Sequence, residues 1–366
     1  MRNILFRLML YGAVALVLAG MLGGCATTTQ EVQKRRYFFP RLPERPRFEW
    51  LNAYMDDSAF QKKGGLSSFL ANVVGEEVGI ALDSPLDIKA APDGRVFVTD
   101  TSLPGVVIFD LKKQNVRLLG EEKGQRLFVR PTNIALDDSG NLYVLDVDRK
   151  MIAVFDSAER PVREIAYANT MKSGGALAWD RQRKRLLCVD TRGDTVYFLT
   201  SEGKLIDSFG KAGDQDGQFN RPSSITVNGK GEIVIADAFN ARIQVFDGDG
   251  KFLRKFGVRG DNPGEFQQIK SVAVDSEDHV YVTDGKGNKV EVFSTTGDYL
   301  LTVGARGSVL ETGRSVPYGF LIPQGITVDA NDVIYVVDSM NKRFQVIQYL
   351  SDDFIRKNPI PGIELK

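Results

Sequence analysis

The stretch Pro222-Ser-Ser-Ile-Thr-Val-Asn-Gly-Lys-Gly-Glu-Ile-Val-Ile-Ala-Asp237 decides the fold. A short apolar run follows the Pro, a Gly-rich turn interrupts it, and a second apolar run ends at the Asp. Arg242-Ile-Gln-Val-Phe246 then predicts a third strand, and the turn Asp247-Gly-Asp-Gly250 leads into a fourth over 252–256. The unit recurs. Asp100, Asp146, Asp190, Asp237, Asp284 and Asp338 close equivalent second strands, separated by 46, 44, 47, 47 and 54 residues. That period matches the roughly 40–50 residues of a four-stranded propeller blade.

Runs such as Ile233 to Ala236 are apolar at every position and not at alternate ones. Both faces of such a strand must be covered, as they are when blades stack around an axis. A sandwich would leave each sheet one polar face, and a parallel α/β fold would need helices for which the repeat has no room. The expected fold is therefore all-β, a six-bladed β-propeller over 85–350. The sixth unit ends with its third strand near Tyr349, and Arg47 to Tyr54 has the strand character to supply the fourth and close the ring. Leu66, Phe69, Leu70, Val73 and Val74 recur at helical spacing and predict a short amphipathic helix within 47–84; 351–366 reads as a tail.

The repeat resembles the NHL family. The full pattern stands in Pro222 through Asp237 with Asn240 and Arg242, and in Pro323 through Asp338 with Asn341 and Arg343. The Asn and Arg slots hold Leu103 and Gly105, Arg149 and Met151, and Gly193 and Thr195 in the first three units. The resemblance implies a six-bladed propeller over about residues 82 to 350.

Arg2 and Arg7, the apolar run Leu8 to Leu22, and Leu22-Gly23-Gly24-Cys25 resemble the signal and lipobox of bacterial lipoproteins. The resemblance implies removal of 1–24 and lipidation of Cys25, holding the chain on a membrane; an uncleaved anchor is the competing reading. Ala26 after the Cys, in place of Asp, points to the outer membrane or cell surface rather than the inner membrane. Residues 25–46 read as a tether, with Arg35, Arg36, Arg41 and Arg45 interleaved with Pro40, Pro43 and Pro46.

The composition narrows the chemistry. One His and two Cys exclude a His-rich or Cys-based zinc centre, and Cys188 reads as a buried strand residue. The 47 Lys+Arg against 47 Asp+Glu give no basis for a nucleic-acid partner. The zero is a sum of unlike parts. Residues 25–47 hold six basic and two acidic residues, and 48–366 hold 39 basic and 45 acidic. NHL-type amidating lyases use several His at the channel, whereas His279 stands alone and reads as a solvated turn residue.

Gluconolactonase-like propellers hold a divalent cation through Glu, Asn and Asp. The slot before the aliphatic residue of each first strand holds Asp87, Asn133, Gly175, Ser224, Ser271 and Gly325. Asp87 and Asn133 are thus candidate ligands for a Ca-like ion, against a reading in which they secure strand starts. The recurring Asp residues, with Asn240, Arg242, Asn341 and Arg343, read as structural: a carboxylate after a strand can accept loop N–H groups or pair with Arg. The longest loop, Gly304 to Pro323, carries Arg306, Arg314, Tyr318 and Phe320, residue types favoured at contact hot spots. The expected function is a membrane-anchored envelope lipoprotein whose propeller binds a protein or glycan without catalysis and without a resident cofactor; a metal-dependent lactonase-like enzyme is the alternative.

Overall fold

The computed structural model describes residues 36–60, 79–122, 124–314 and 316–361. The lipobox at 22–25 and the predicted amphipathic helix at 66–74 lie outside the described residues. The described residues form six blades, each an antiparallel sheet, and in the first five the strands follow chain order from the axis outward. The fourth blade is typical: Pro222–Val227 lies innermost, then Ile233–Asp237 and Arg242–Phe246, with Phe252–Phe256 outermost. Consecutive innermost strands neighbour one another around the ring, the sixth meeting the first, so they enclose an axial channel.

Closure follows the expected route. In the sixth blade Phe48–Tyr54 pairs antiparallel with Arg343–Tyr349, joining chain start to chain end. Tyr37–Phe39 then adds a fifth strand, pairing with Phe48–Trp50. The end of the segment read as a tether is therefore part of the fold, because Tyr37, Phe38 and Phe39 have apolar surface to bury. The tail is likewise docked. Ser351 caps a helix at Asp352–Lys357, and Ile355 and Ile360 are buried beside Phe38.

The continuous apolar runs do what their pattern requires. Each of the six main apolar clusters joins facing sides of two adjacent blades. Val98, Val107 and Phe109 of the first blade meet Val337, Phe344 and Val346 of the sixth, and Phe198 of the third meets Ile235 and Phe246 of the fourth. Each such side chain contributes roughly 1.5–3 kcal/mol when fully buried. Cys188 belongs to the cluster between blades two and three, where burial pushes its thiol pKa up.

Candidate functional site

The recurring Asp residues are all at most 1% exposed. Each accepts main-chain N–H groups from the loop that enters its blade. Asp83 and Ser84 donate to Asp100, Val129 and Arg130 to Asp146, and Lys172 and Ser173 to Asp190. Asn220 donates to Asp237, Gln267 and Gln268 to Asp284, and Leu321 to Asp338.

In the fourth blade, Asp237 Oδ2 also receives Asn240 Nδ2 at 2.9 Å, Arg242 Nε at 2.8 Å and Gln244 Nε2 at 3.1 Å. The sixth blade repeats this quartet with Asp338, Asn341, Arg343 and Gln345. The Arg also holds carbonyls of the entering loop, those of Asp214, Gln215 and Gln218 for Arg242 and those of Val316 and Gly319 for Arg343. The fifth blade substitutes Lys289 and Glu291, with Lys289 Nζ donating to the Glu265 carbonyl.

Strand register fixes the ring of slots inside the channel. Ala176 pairs with Val189 as Ser224 pairs with Ala236, so the third blade's slot holds Ala176 and not Gly175. The polar slot residues reach to the next blade. Ile134 N–H donates to Asp87 Oδ2 at 3.0 Å, Leu177 N–H to Asn133 Oδ1 at 2.7 Å, and Val272 N–H to Ser224 Oγ at 3.2 Å. These side chains clasp neighbouring inner strands. Burial pushes the Asp87 carboxyl pKa up, against the pull of Lys89 and of the main-chain N–H groups. Among the described residues no group of three or more His, Cys, Asp or Glu is placed to hold a metal ion.

The residues of the longest loop separate. Arg306 is exposed and paired with Glu311 at 2.7 Å, and Arg314 is also exposed. Tyr318 and Phe320 are not on the surface. Phe320 is fully buried between blades five and six, and Tyr318 donates its hydroxyl to the Tyr37 carbonyl. A signal for this stood in the sequence: Phe128, Phe219, Phe266 and Phe320 each precede their blade's Asp by eighteen residues. All four are at most 1% exposed.

At the other end of the channel the inner strands finish and turn back. A cavity of about 870 Å³ is lined there by Lys89, Trp179, Thr226, Asp275, Thr327 and Asp329, with Ala, Leu, Ile and Val between them. Asp87 and Asn133 lie deeper and do not line it. Its acids are engaged. Asp329 accepts the Asn331 and Val333 N–H groups and the Tyr335 hydroxyl. Asp275 accepts the His279 N–H and the Tyr281 hydroxyl, and lies 2.9 Å from His279 Nδ1. His279 is therefore not a solvated turn residue. Its side chain is 19% exposed and meets the Tyr349 ring edge-on. The hydrogen bond to Asp275 raises its pKa above 6.5, against the opposing effect of burial.

The cationic side of the funnel is less committed. Lys112 Nζ is 3.4 Å from the Pro92 carbonyl, and Arg181 pairs with Asp138 at 3.3 Å. Lys89, half-buried on the innermost strand of the first blade, has no hydrogen-bond or ion-pair partner among the described residues. Trp179 is held in place, its Nε1 donating to Asp138 Oδ2 at 3.0 Å and its ring stacked on Tyr143 at 6.0 Å and 18°.

Comparison with known proteins places this geometry. Residues 214–304 match the model of a family of 6-bladed beta-propellers (DUF5128). A B-box type zinc finger protein of Caenorhabditis elegans, ncl-1, is 59% identical over 39 residues, so the chain spans about 5% of the length of that curated relative and 11% of its own. A structural genomics protein of unknown function from Bacteroides thetaiotaomicron is similar with a TM-score of 0.58 at 16% identity, over 73% of this chain and 70% of that one. An auxiliary nutrient binding protein from the same organism gives 0.58 at 14%, over 75% and 71%. A streptogramin B lyase gives 0.55 at 12%, over 82% and 99%. At these identities the structures share the propeller fold alone.

Proposed function

We propose that this chain is an NHL-type envelope lipoprotein, carried on a membrane by diacylglycerol at Cys25, whose propeller is a non-catalytic binding module. In this reading a signal at 1–24 directs export and the basic stem meets anionic headgroups. The propeller stands at the periplasmic face of the outer membrane or on the cell surface, and takes its ligand, a glycan or part of a protein, in the funnel at the turn end. The observation that carries the reading is the funnel itself. Its volume lies within the range of small-molecule sites, and its wall mixes apolar residues with polar and charged groups that converge on it. Its two carboxylates are held by main-chain N–H groups and tyrosines, an arrangement suited to shaping a pocket. The same fold serves a protein named for nutrient binding, which agrees with this use.

Two measurements test it on the full chain. Cys25→Ala should move the protein from the membrane to the soluble fraction and abolish palmitate labelling; retention with labelling lost would point to an uncleaved anchor. Thermal-shift screening of sugars, peptidoglycan fragments and organic acids should give stabilising ligands, because binding to the native state raises the melting temperature. Thr226→Phe, which narrows the funnel, should remove them. Calcium-dependent stabilisation lost on Asp87→Asn, together with lactone hydrolysis, would overturn the non-catalytic reading in favour of the lactonase-like one.

A further inference from the structure

We infer that the funnel selects ring-sized carboxylic acids, an acidic sugar foremost, with Lys89 as the ion-pairing group and Trp179 as a flat wall. The inference rests on the funnel being the binding site and goes further by naming the ligand's chemistry.

The lining is divided by blade. Lys89 and Lys112 come from the first blade and Trp179 and Arg181 from the third, while Asp275 and Asp329 come from the fifth and sixth. The acids are satisfied from within the protein, as described above. Lys89 is different: half-buried on a rigid inner strand, its side chain makes no hydrogen bond or ion pair among the described residues, and its charge acts on the Asp87 carboxyl two residues away. An ammonium whose hydrogen bonds the protein does not take up can complete them with an anion. The nearest acid on its own strand, Asp87, already receives the Ile134 N–H.

The cation also limits the charge. Phosphate sites gather several main-chain N–H groups or an Arg fork. Here Arg181 is paired with Asp138 and Lys112 reaches the Pro92 carbonyl, so Lys89 with the hydroxyl-bearing Thr226 and Thr327 makes a set suited to a single carboxylate carrying further hydroxyls. Trp179 supplies the complementary apolar wall. Its indole is immobilised by Asp138 and Tyr143, so little side-chain entropy is lost when a ring settles against it. Asp275 and Asp329, from the fifth and sixth blades, can accept hydroxyl hydrogens from such a ligand.

The test uses matched acid and neutral pairs: glucuronate with glucose, galacturonate with galactose, and benzoate with benzamide. Binding to the full chain is followed by calorimetry and tryptophan fluorescence. Each acid should bind at least about tenfold more tightly than its neutral partner, the scale of one hydrogen bond to a charged group. Lys89→Met, which keeps the apolar stem, should erase that preference, and Lys89→Arg should retain it. Equal binding of acids and neutrals, or a preference that survives Lys89→Met, overturns the inference; the binding-module reading then still stands if Thr226→Phe blocks both. Failure of every compound to bind counts against both.

Discussion

In the sixth blade, Asp338 Oδ2 receives three side chains, from Asn341, Arg343 and Gln345; in the first blade, Asp100 receives only main-chain N–H groups, from Asp83, Ser84 and Ser102. The carboxylate is common to both blades. What differs is the set of side chains around it. The sixth blade is entered by a long excursion, from Gly304 to Ile322, whose carbonyls need donors once they are buried. Arg343 supplies them to Val316 and Gly319. The third blade is entered over a much shorter span, and its Arg slot holds Thr195. The second blade is intermediate: Arg149, one slot earlier, donates to the Leu127 carbonyl. In the fourth and sixth blades the full motif thus pins carbonyls of the entering loop, whereas the third blade, entered between Ala166 and Gly174, has neither the Arg nor this pin.

Removing the cation should break this comparison most sharply. Arg343 is 0% exposed, and Arg343→Ala strands a buried Asp338 and two loop carbonyls, so a loss of about 3–5 kcal/mol is expected in urea or thermal unfolding. A loss below about 1 kcal/mol would mean that the main-chain N–H groups alone hold the sixth blade as they hold the first. The next effect should come from Asn341, which bonds Asp338 Oδ2, the Gly307 carbonyl and the Val309 N–H. Asn341→Ala should cost about 1–3 kcal/mol because each partner is left unsatisfied. Arg149→Ala, at the equivalent slot in the second blade, should cost no more than about 1 kcal/mol, since its pair with Glu164 is largely solvent-exposed. Equal losses at the two slots would show that the set of side chains around the Asp is not what separates the blades.

The blades were legible because their signals repeat: Asp at a near-constant period, Pro at the inner-strand start of four blades, and apolar runs covered on both faces. The closing strand was legible from the shortfall after Tyr349. The funnel was not, because the residues that make it do not repeat. Lys89, Ala135, Ala178, Thr226, Ala273 and Thr327 occupy one register position in six blades. Only assembly of the ring places most of them around one space. Tyr318 and Phe320 misled for the opposite reason. Aromatics in a Gly-rich loop suggest exposure, but the phenylalanine position recurs before four of the blades, and its partners lie across an interblade gap distant in sequence.

The turn end offers a second contrast, with a smaller effect. Asp275 and Asp329 hold equivalent turns, each accepting a tyrosine hydroxyl, but four residues on the fifth blade has His279 where the sixth has Val333. Because the hydrogen bond to Asp275 raises the imidazole pKa in the folded chain, protonation favours folding. That stabilisation is complete below the ordinary imidazole value of 6.5 and is lost as pH rises through the higher folded value. His279→Asn keeps a donor to Asp275 and removes the titration. The wild type should therefore lose an increment of unfolding free energy across this window that the variant does not. Val333→His would transfer the arrangement to the sixth blade. If stability then gains the same pH dependence, the turn carboxylate alone tunes the imidazole; if it does not, the edge contact between His279 and Tyr349 is part of the tuning.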